Sequence, residues 1–201
     1  MVRAQILKEA TRLFAERGYD GTSVQEIADA VGIRKPSLLY HFNSKDKLRD
    51  SVFGEIVDHW NAKLPSLLLQ ASRQERFDAT MESLCEFFLE DPDRARVFLR
   101  EILDRPEPMR ELLQAFVRPW VELVADQLAR AKERGLVRAE VDPEAYAVQV
   151  LTMIVSGIAV IDTLSVILPD DPELGATHAR HVRELVRVAR SSLFNEERSN
   201  A

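Results

Sequence analysis

The chain has little of what several large protein classes are built from. A single cysteine, Cys85, in 201 residues excludes an intramolecular disulfide framework and an all-cysteine zinc site. Glycine fills only 7 positions, about half of a usual share of roughly 7 %, and Val/Ile/Thr runs are few, so tight hairpins have little material. No G-x-S-x-G, Walker-type phosphate loop or H-E-x-x-H occurs. Cys85 sits between Leu84 and Glu86 without a basic neighbour to lower its pKa, and reads as a buried structural thiol. His178 and His181 are three apart with no third ligand placed near them, so they read as surface or interface histidines. Neither enzymatic activity, a metal nor a cofactor is expected. The segment Met1 to Gln5 is too polar for a secretory signal, and the expected address is cytoplasmic.

Apolar residues are plentiful at 46 %, enough for a sizeable core. With glycine scarce, they predict an all-α fold of about nine helices. The net charge of −6 conceals an asymmetry. Arg34, Lys35, Lys45, Lys47 and Arg49 cluster against a single acid, Asp46, which suggests a confined anion-binding surface on an otherwise acidic protein. A solvated helix face is the competing reading of the same charges.

Ile6, Leu7, Ala10, Leu13 and Phe14 recur at three- and four-residue spacing, the buried face of a first helix that Gly18 closes. Ser23-Val24-Gln25-Glu26 fits a capping box for a short second helix, with Val24, Ile27, Ala28 and Val31 inward and Gly32 at its end. Pro36 falls in the first turn of a third helix, where its missing N–H costs nothing. There Leu38 and Phe42 face inward, while Arg34, Ser37, Tyr40 and His41 share the outward side. Two short helices around a glycine turn, the second presenting cations, hydroxyls and an imidazole, match a helix-turn-helix unit. Ser44 caps a fourth helix and sets Lys45 at its start.

The stretch ILKEATRLFAERGYDGTSVQEIADAVGIRKPSLLYHFNSKDKLRDSV, Ile6 to Val52, resembles the DNA-binding domain of TetR-family transcriptional regulators. The resemblance rests on A-x-x-L-F-x-x-x-G-Y/F, T-S/T-V-x-x-I-A and G-I/V-x-x-x-x-L-x-x-H/Y-F-x-S-K-x-x-L. It implies that Lys35, Pro36, Ser37, Tyr40 and His41 touch bases or backbone. It also implies that Ser23 and Gln25 stand at the start of the supporting helix and that Lys45 holds a phosphate. Two departures stand out. Leu39 replaces a frequent tyrosine, a role open to Tyr40, and Arg34 replaces a Ser/Thr cap and is free to contact DNA instead. His41 has a second reading as a packing histidine.

Beyond this unit, Leu48, Val52, Ile56, Trp60 and Leu64 predict a fourth helix ended or bent at Pro65. Asp91-Pro92, Asp142-Pro143 and Asp171-Pro172 each announce a helix start, and Pro119 should kink a long helix over 108–134. Residues 145–161 carry no charge. A membrane span is the minor reading, given the acidic flanks and interspersed polar residues; a helix buried on all sides, partly by a second subunit, is expected. A last helix over 173–194 carries Val182, Leu185, Val186, Ala189 and Leu193, and the resemblance implies that the last two helices form a homodimer interface. Trp60, Phe87, Phe88, Phe98, Phe116 and Trp120, with Gln127, Gln149 and Met153, are candidate walls of a pocket for a small hydrophobic or aromatic effector. Arg100 and Asp104 are candidates for its polar end, or for a surface ion pair.

The expected organisation is a three-helix DNA-binding domain over 1–47 and a helical effector-binding and dimerisation domain over 48–201. The expected function is repression from a palindromic operator, relieved by a small molecule. Its signal is expected to travel through the fourth helix, the only one required by the sequence to touch both parts. A helical ligand-binding or scaffolding protein with a vestigial helix-turn-helix is the alternative.

Overall fold

The structure, a computed structural model, describes residues 2–71, 74–173 and 175–195, without side-chain detail at 63–71 and 74–76. It is all helical. The order is α1 (Val2–Arg17), α2 (Val24–Val31), α3 (Lys35–His41), α4 (Lys45–Ala71), α5 (Gln74–Leu89), α6 (Pro92–Asp104), α7 (Pro106–Leu112), a π-helical turn (Leu113–Val117), α8 (Arg118–Glu133), α9 (Pro143–Leu164) and α10 (Thr177–Leu193). Since α7, the π turn and α8 follow one another without a break, the described residues form nine rods.

The first three helices pack as the apolar spacing requires. Ile6, Leu7, Ala10, Leu13 and Phe14 of α1 are buried with Ile27, Ala28, Leu38 and Phe42, and Leu48 and Val52 of α4 close this core from below. The border expected at 47/48 therefore falls inside one continuous helix. Gly18 and Gly32 adopt φ of 76° and 78°, the left-handed region that lets each helix stop abruptly. The buried Thr22 hydroxyl donates to the Leu13 and Gly18 carbonyls, fixing the linker between α1 and α2.

Two proline expectations are corrected. α4 runs through Pro65 to Ala71, giving up one backbone bond within an otherwise continuous helix. Pro119 lies in the first turn of α8 and does not itself mark the irregularity, which sits just upstream. The Arg118 amide donates to the Leu113 carbonyl, five residues back, and this π turn relieves the crowding that the proline ring would cause. A third start signal also fails. Asp91 and Asp142 cap α6 and α9, accepting from the amides of Asp93 and Ala145. Asp171 instead exchanges backbone hydrogen bonds with Gly175 in a tight turn, and the last helix waits until Thr177. Asp170 receives both the amide and the hydroxyl of Thr177.

α9 packs against α5, α6, α8 and α10, yet it is not buried on all sides. Val148, Val160 and Leu164 remain exposed, as does Val188 of α10. By length and apolarity α9 could cross a membrane; here its inner face is core, with Ile154, Val155, Ile158 and Ile161 buried. The interface expected on α10 is likewise corrected. Leu185, Val186, Ala189 and Leu193 are buried within the single chain and Val182 packs against the same core, so this stripe is unavailable to a partner. Its spacing identified a buried face without saying which neighbour buries it.

α6 is the second bridge that the sequence did not disclose. It packs against both α1 and α9, so α4 is not alone in joining the first three helices to the rest.

Candidate nucleic-acid interface and effector cavity

α3 begins without a side-chain cap, because Arg34 offers none, and Pro36 occupies its first turn. Leu38 anchors the helix in the core, which turns the opposite face outward. Arg34, Lys35, Pro36, Ser37, Tyr40 and His41 are all exposed, Tyr40 at 84 %. The Tyr40 and His41 rings meet edge to face with centroids 5.6 Å apart. His41 is thus a surface residue, and the packing reading fails. Arg34 and Lys35 have no carboxylate partner among the described residues.

Ser23 and Gln25 flank this surface but are partly committed. The Ser23 hydroxyl accepts from the Glu26 amide at 3.1 Å while the Glu26 carboxylate accepts from the Ser23 amide at 2.7 Å, the expected capping box. The Gln25 side chain donates to Asp29 at 2.7 Å.

The basic cluster divides by role. Lys45 rests its ammonium 4.0 Å from the centre of the Tyr19 ring. Lys47 pairs with Asp50 at 3.6 Å. Arg49 is structural: it is largely buried and lies 3.4 Å from Glu101 of α6. Arg105, at the end of α6, stands 4.1 Å from the centre of the same Tyr19 ring and 3.9 Å from both Asp46 and Glu101. Burial pushes the Tyr19 phenol up to about 12, with its hydrogen bond to Asp46 adding to the rise. Burial also raises the Glu101 carboxyl, opposed by Arg49 and Arg105. Tyr19 and Arg105 were missed as functional positions, since nothing local in the sequence signals that α6 returns to the turn after α1. Arg100 and Asp104 stand over Gly18 at this same junction and line none of the cavities described below.

The second site lies between α4, α5, α8 and α9. An inner chamber of about 100 Å³ is walled by Trp60, Phe77, Met81, Phe88, Trp120 and Ile154, among others, with Thr80, Gln127 and Tyr146 as its polar wall residues. An outer cleft of about 680 Å³ between α6, the α7–α8 rod and α9 is lined by Phe98, Leu99, Ile102, Arg110, Gln114, Arg118, Glu122 and Glu144. Val117, Val121 and Leu151 line both spaces. Phe116 and Phe98 border a smaller void beside Trp60.

Of the nine expected pocket residues, Trp60, Phe88, Phe98, Phe116, Trp120 and Gln127 line this system. Phe87 does not; it stands behind the wall, edge to face with Trp60 at 5.4 Å. Gln149 and Met153 do not either, because they open onto a separate groove between α9 and α10 beside Val188 and Ser192. Tyr146 and Val150, which line both this groove and the chamber, form with Leu151 and Ile154 the chamber's missed wall. Cys85 is fully buried, which pushes its thiol up to about 12.

A helix-turn-helix core with an exposed, uncompensated second helix, set on a helical body holding an apolar cavity, is the architecture of a DNA-binding transcriptional regulator. Comparison gives the family. Residues 6–52 match the bacterial regulatory proteins of the tetR family, and residues 98–166 match the tetracyclin repressor-like C-terminal domain. The chain belongs to the TetR family. It is 25 % identical over 137 residues, 68 % of this chain and 73 % of the relative, to the biofilm operon icaADBC negative transcriptional regulator IcaR of Staphylococcus aureus. Among solved structures it resembles the ketosteroid transcriptional regulator KstR2 of Mycobacterium tuberculosis, with a TM-score of 0.78 at 19 % identity, covering 98 % of this chain and 96 % of that one. It also resembles AibR in complex with isovaleryl coenzyme A and operator DNA, with a TM-score of 0.71 at 24 % identity, covering 94 % and 97 %.

Proposed function

We propose that this regulator is a cytoplasmic homodimeric repressor that holds a near-palindromic operator through two copies of α3 and lets go when a small apolar molecule enters the chamber. In this reading residues 1–47 bind DNA and residues 48–201 sense and dimerise. The observation that carries it is the coexistence, along the continuous α4, of an exposed α3 face with unpaired Arg34 and Lys35 and a chamber with Trp60 in its wall. Arg34, Lys35, Ser37, Tyr40 and His41 supply groups for base edges and phosphates, and Lys45 one for a phosphate. The uncovered apolar residues Val160, Leu164 and Val188 support pairing of α9 and α10 with their copies, with Gln149 and Met153 in the groove between them. That AibR, of similar fold, was solved with isovaleryl coenzyme A and operator DNA supports a fold that takes both a small molecule and DNA.

The test is sequence selection from random duplex DNA combined with sedimentation of the purified protein. A dimer at micromolar concentration, enriching half-sites spaced by about one helical turn or a multiple of it, is the expected result. A monomer that enriches no sequence overturns the reading.

A further inference from the structure

The chamber and the outer cleft differ in size, wetness and hydrogen-bonding capacity, and together these restrict what fits. Among the described residues, no Asp, Glu, Lys, Arg or His lines the chamber. Its polar wall groups are also nearly all in use. The Tyr146 hydroxyl donates to the Ala189 carbonyl at 2.7 Å, the Trp120 indole N–H donates to Asn61 at 2.9 Å, and Thr80 has a partner of its own. Gln127, on the α8 wall, makes no hydrogen bond among the described residues. Its amide both donates and accepts, so it can serve a carbonyl or a hydroxyl equally well. An ionised group in the chamber would lose its hydration and meet no counter-charge.

The outer cleft is several times larger and carries Arg110, Arg118, Glu122, Glu144 and Gln114. Its two arginines are already paired, with Glu107 and Glu122, each at 2.7 Å. Its floor is apolar, with Leu113, Val148 and Val155 beside Phe98, Leu99 and Ile102, and its charges are balanced, so it suits a bulky body with polar groups at its edge and selects for neither sign. Val117, Val121 and Leu151 line both spaces, so the two adjoin along this seam of side chains.

We propose that the effector is amphipathic: a compact, uncharged, branched or cyclic apolar end occupies the chamber with its carbonyl or hydroxyl bonded to Gln127, and the larger polar remainder lies in the outer cleft. This deepens the effector reading and rests on it for its regulatory meaning, but binding can be measured without DNA. The chain has 2 tryptophans, and both, Trp60 and Trp120, line the chamber, so intrinsic fluorescence reports its occupancy. Four probes of one ring size suffice: cyclohexanone, methylcyclohexane, cyclohexanecarboxylate and cyclohexylammonium, near the benzene-sized guests that cavities of roughly 150 Å³ accept.

Cyclohexanone should bind the full-length protein about tenfold or more tightly than either ion. Gln127→Leu should weaken cyclohexanone about five- to tenfold while leaving methylcyclohexane binding unchanged or tighter, which also shows that the variant is folded. Three results would each overturn the proposal: an ion binding as tightly as the ketone, Gln127→Leu leaving ketone affinity unaltered, or none of the four probes changing the fluorescence. Operator release is scored separately on the same samples. A protein with the expected probe order that binds no operator refutes the repressor reading and leaves the chamber chemistry standing.

Discussion

Tyr19 and Asp46, 27 positions apart, are joined by a 2.6 Å hydrogen bond from the phenol to the carboxylate. That bond pins the turn after α1 to the first turn of α4, beside Lys45, and Arg105 reaches the same ring from α6. The DNA-proximal end of α4 is therefore held by a residue from the helix whose Phe98, Leu99 and Ile102 line the outer cleft. The bond with Tyr19 is the foremost reason that the Asp46 carboxyl is held below its usual range. A depressed folded-state pKa gives stability that is present above the ordinary aspartate pKa and lost as pH falls through the folded value. Tyr19→Phe should therefore lower the melting temperature at pH 7 and flatten its decline below about pH 4. Because Asp46 is largely exposed, the effect should shrink in high salt. Identical acid profiles for the two proteins would show that the bond does not contribute.

On DNA, Lys45→Ala should weaken specific and random duplexes alike and reduce the salt slope by about 1. Lys35→Ala or Ser37→Ala should relax preference at particular base pairs, by roughly 1–3 kcal/mol where a bidentate contact is lost. Binding measured on selected and scrambled duplexes at several salt concentrations separates the two patterns. Equal losses on every sequence for all three variants would reverse the division between reading and positioning.

At the α9–α10 contact, His181 lies directly on Gly157. A Cβ at position 157 would come within 2.4 Å of the imidazole Nε2. Gly157→Ala should cost about 1–3 kcal/mol by overpacking, and Gly157→Ala combined with His181→Ala should recover part of that loss in a denaturant titration. Burial, and secondarily His178, hold the His181 pKa below the ordinary imidazole value. The unfolded chain then binds this proton more readily, so stability falls as pH drops below about 6.5 and is level above it for this group. His181→Gln should flatten that slope between pH 7 and 5.5.

For the outer face, Val160→Arg or Val188→Arg should leave the melting transition of the isolated chain nearly unchanged yet convert a dimer into monomers that lose operator binding. Leu185→Arg should instead prevent folding, because Leu185 is buried within its own chain. Sedimentation and circular dichroism on the three variants distinguish partner-facing positions from core ones. Val160→Arg and Val188→Arg proteins that remain dimeric would place the interface elsewhere.

Helix identity and the exposed face of α3 were legible because their signals are local. The Ser23–Glu26 capping box, Gly32 and Pro36 act within one turn of the chain, and Leu38 alone fixes which way α3 faces. The failures required knowledge of a distant neighbour. Leu185, Val186, Ala189 and Leu193 have the pattern of any buried stripe, whether its cover comes from the same chain or another. Gln149 and Met153 were assigned to the cavity on composition, whereas they open onto the neighbouring groove between α9 and α10, which shares Tyr146 and Val150 with the chamber. Asp171-Pro172 resembled the two genuine starts, but Gly175, at φ 90°, closes a turn there before a helix can begin.

The π turn at Leu113–Val117 amounts to one surplus residue in the rod from Pro106 to Glu133. In an α-helix each residue advances the phase by about 100°, so this surplus turns the whole of α8 relative to α7. Without it, Trp120, Val124 and Gln127 would be rotated by roughly that angle away from the positions from which they now line the chamber. The aim of one chamber wall thus depends on the residue count of this segment as well as on its side chains, of which Val117 lines the chamber. Sequence drift can alter Ala115 freely, but a one-residue deletion there would redirect α8 as a unit.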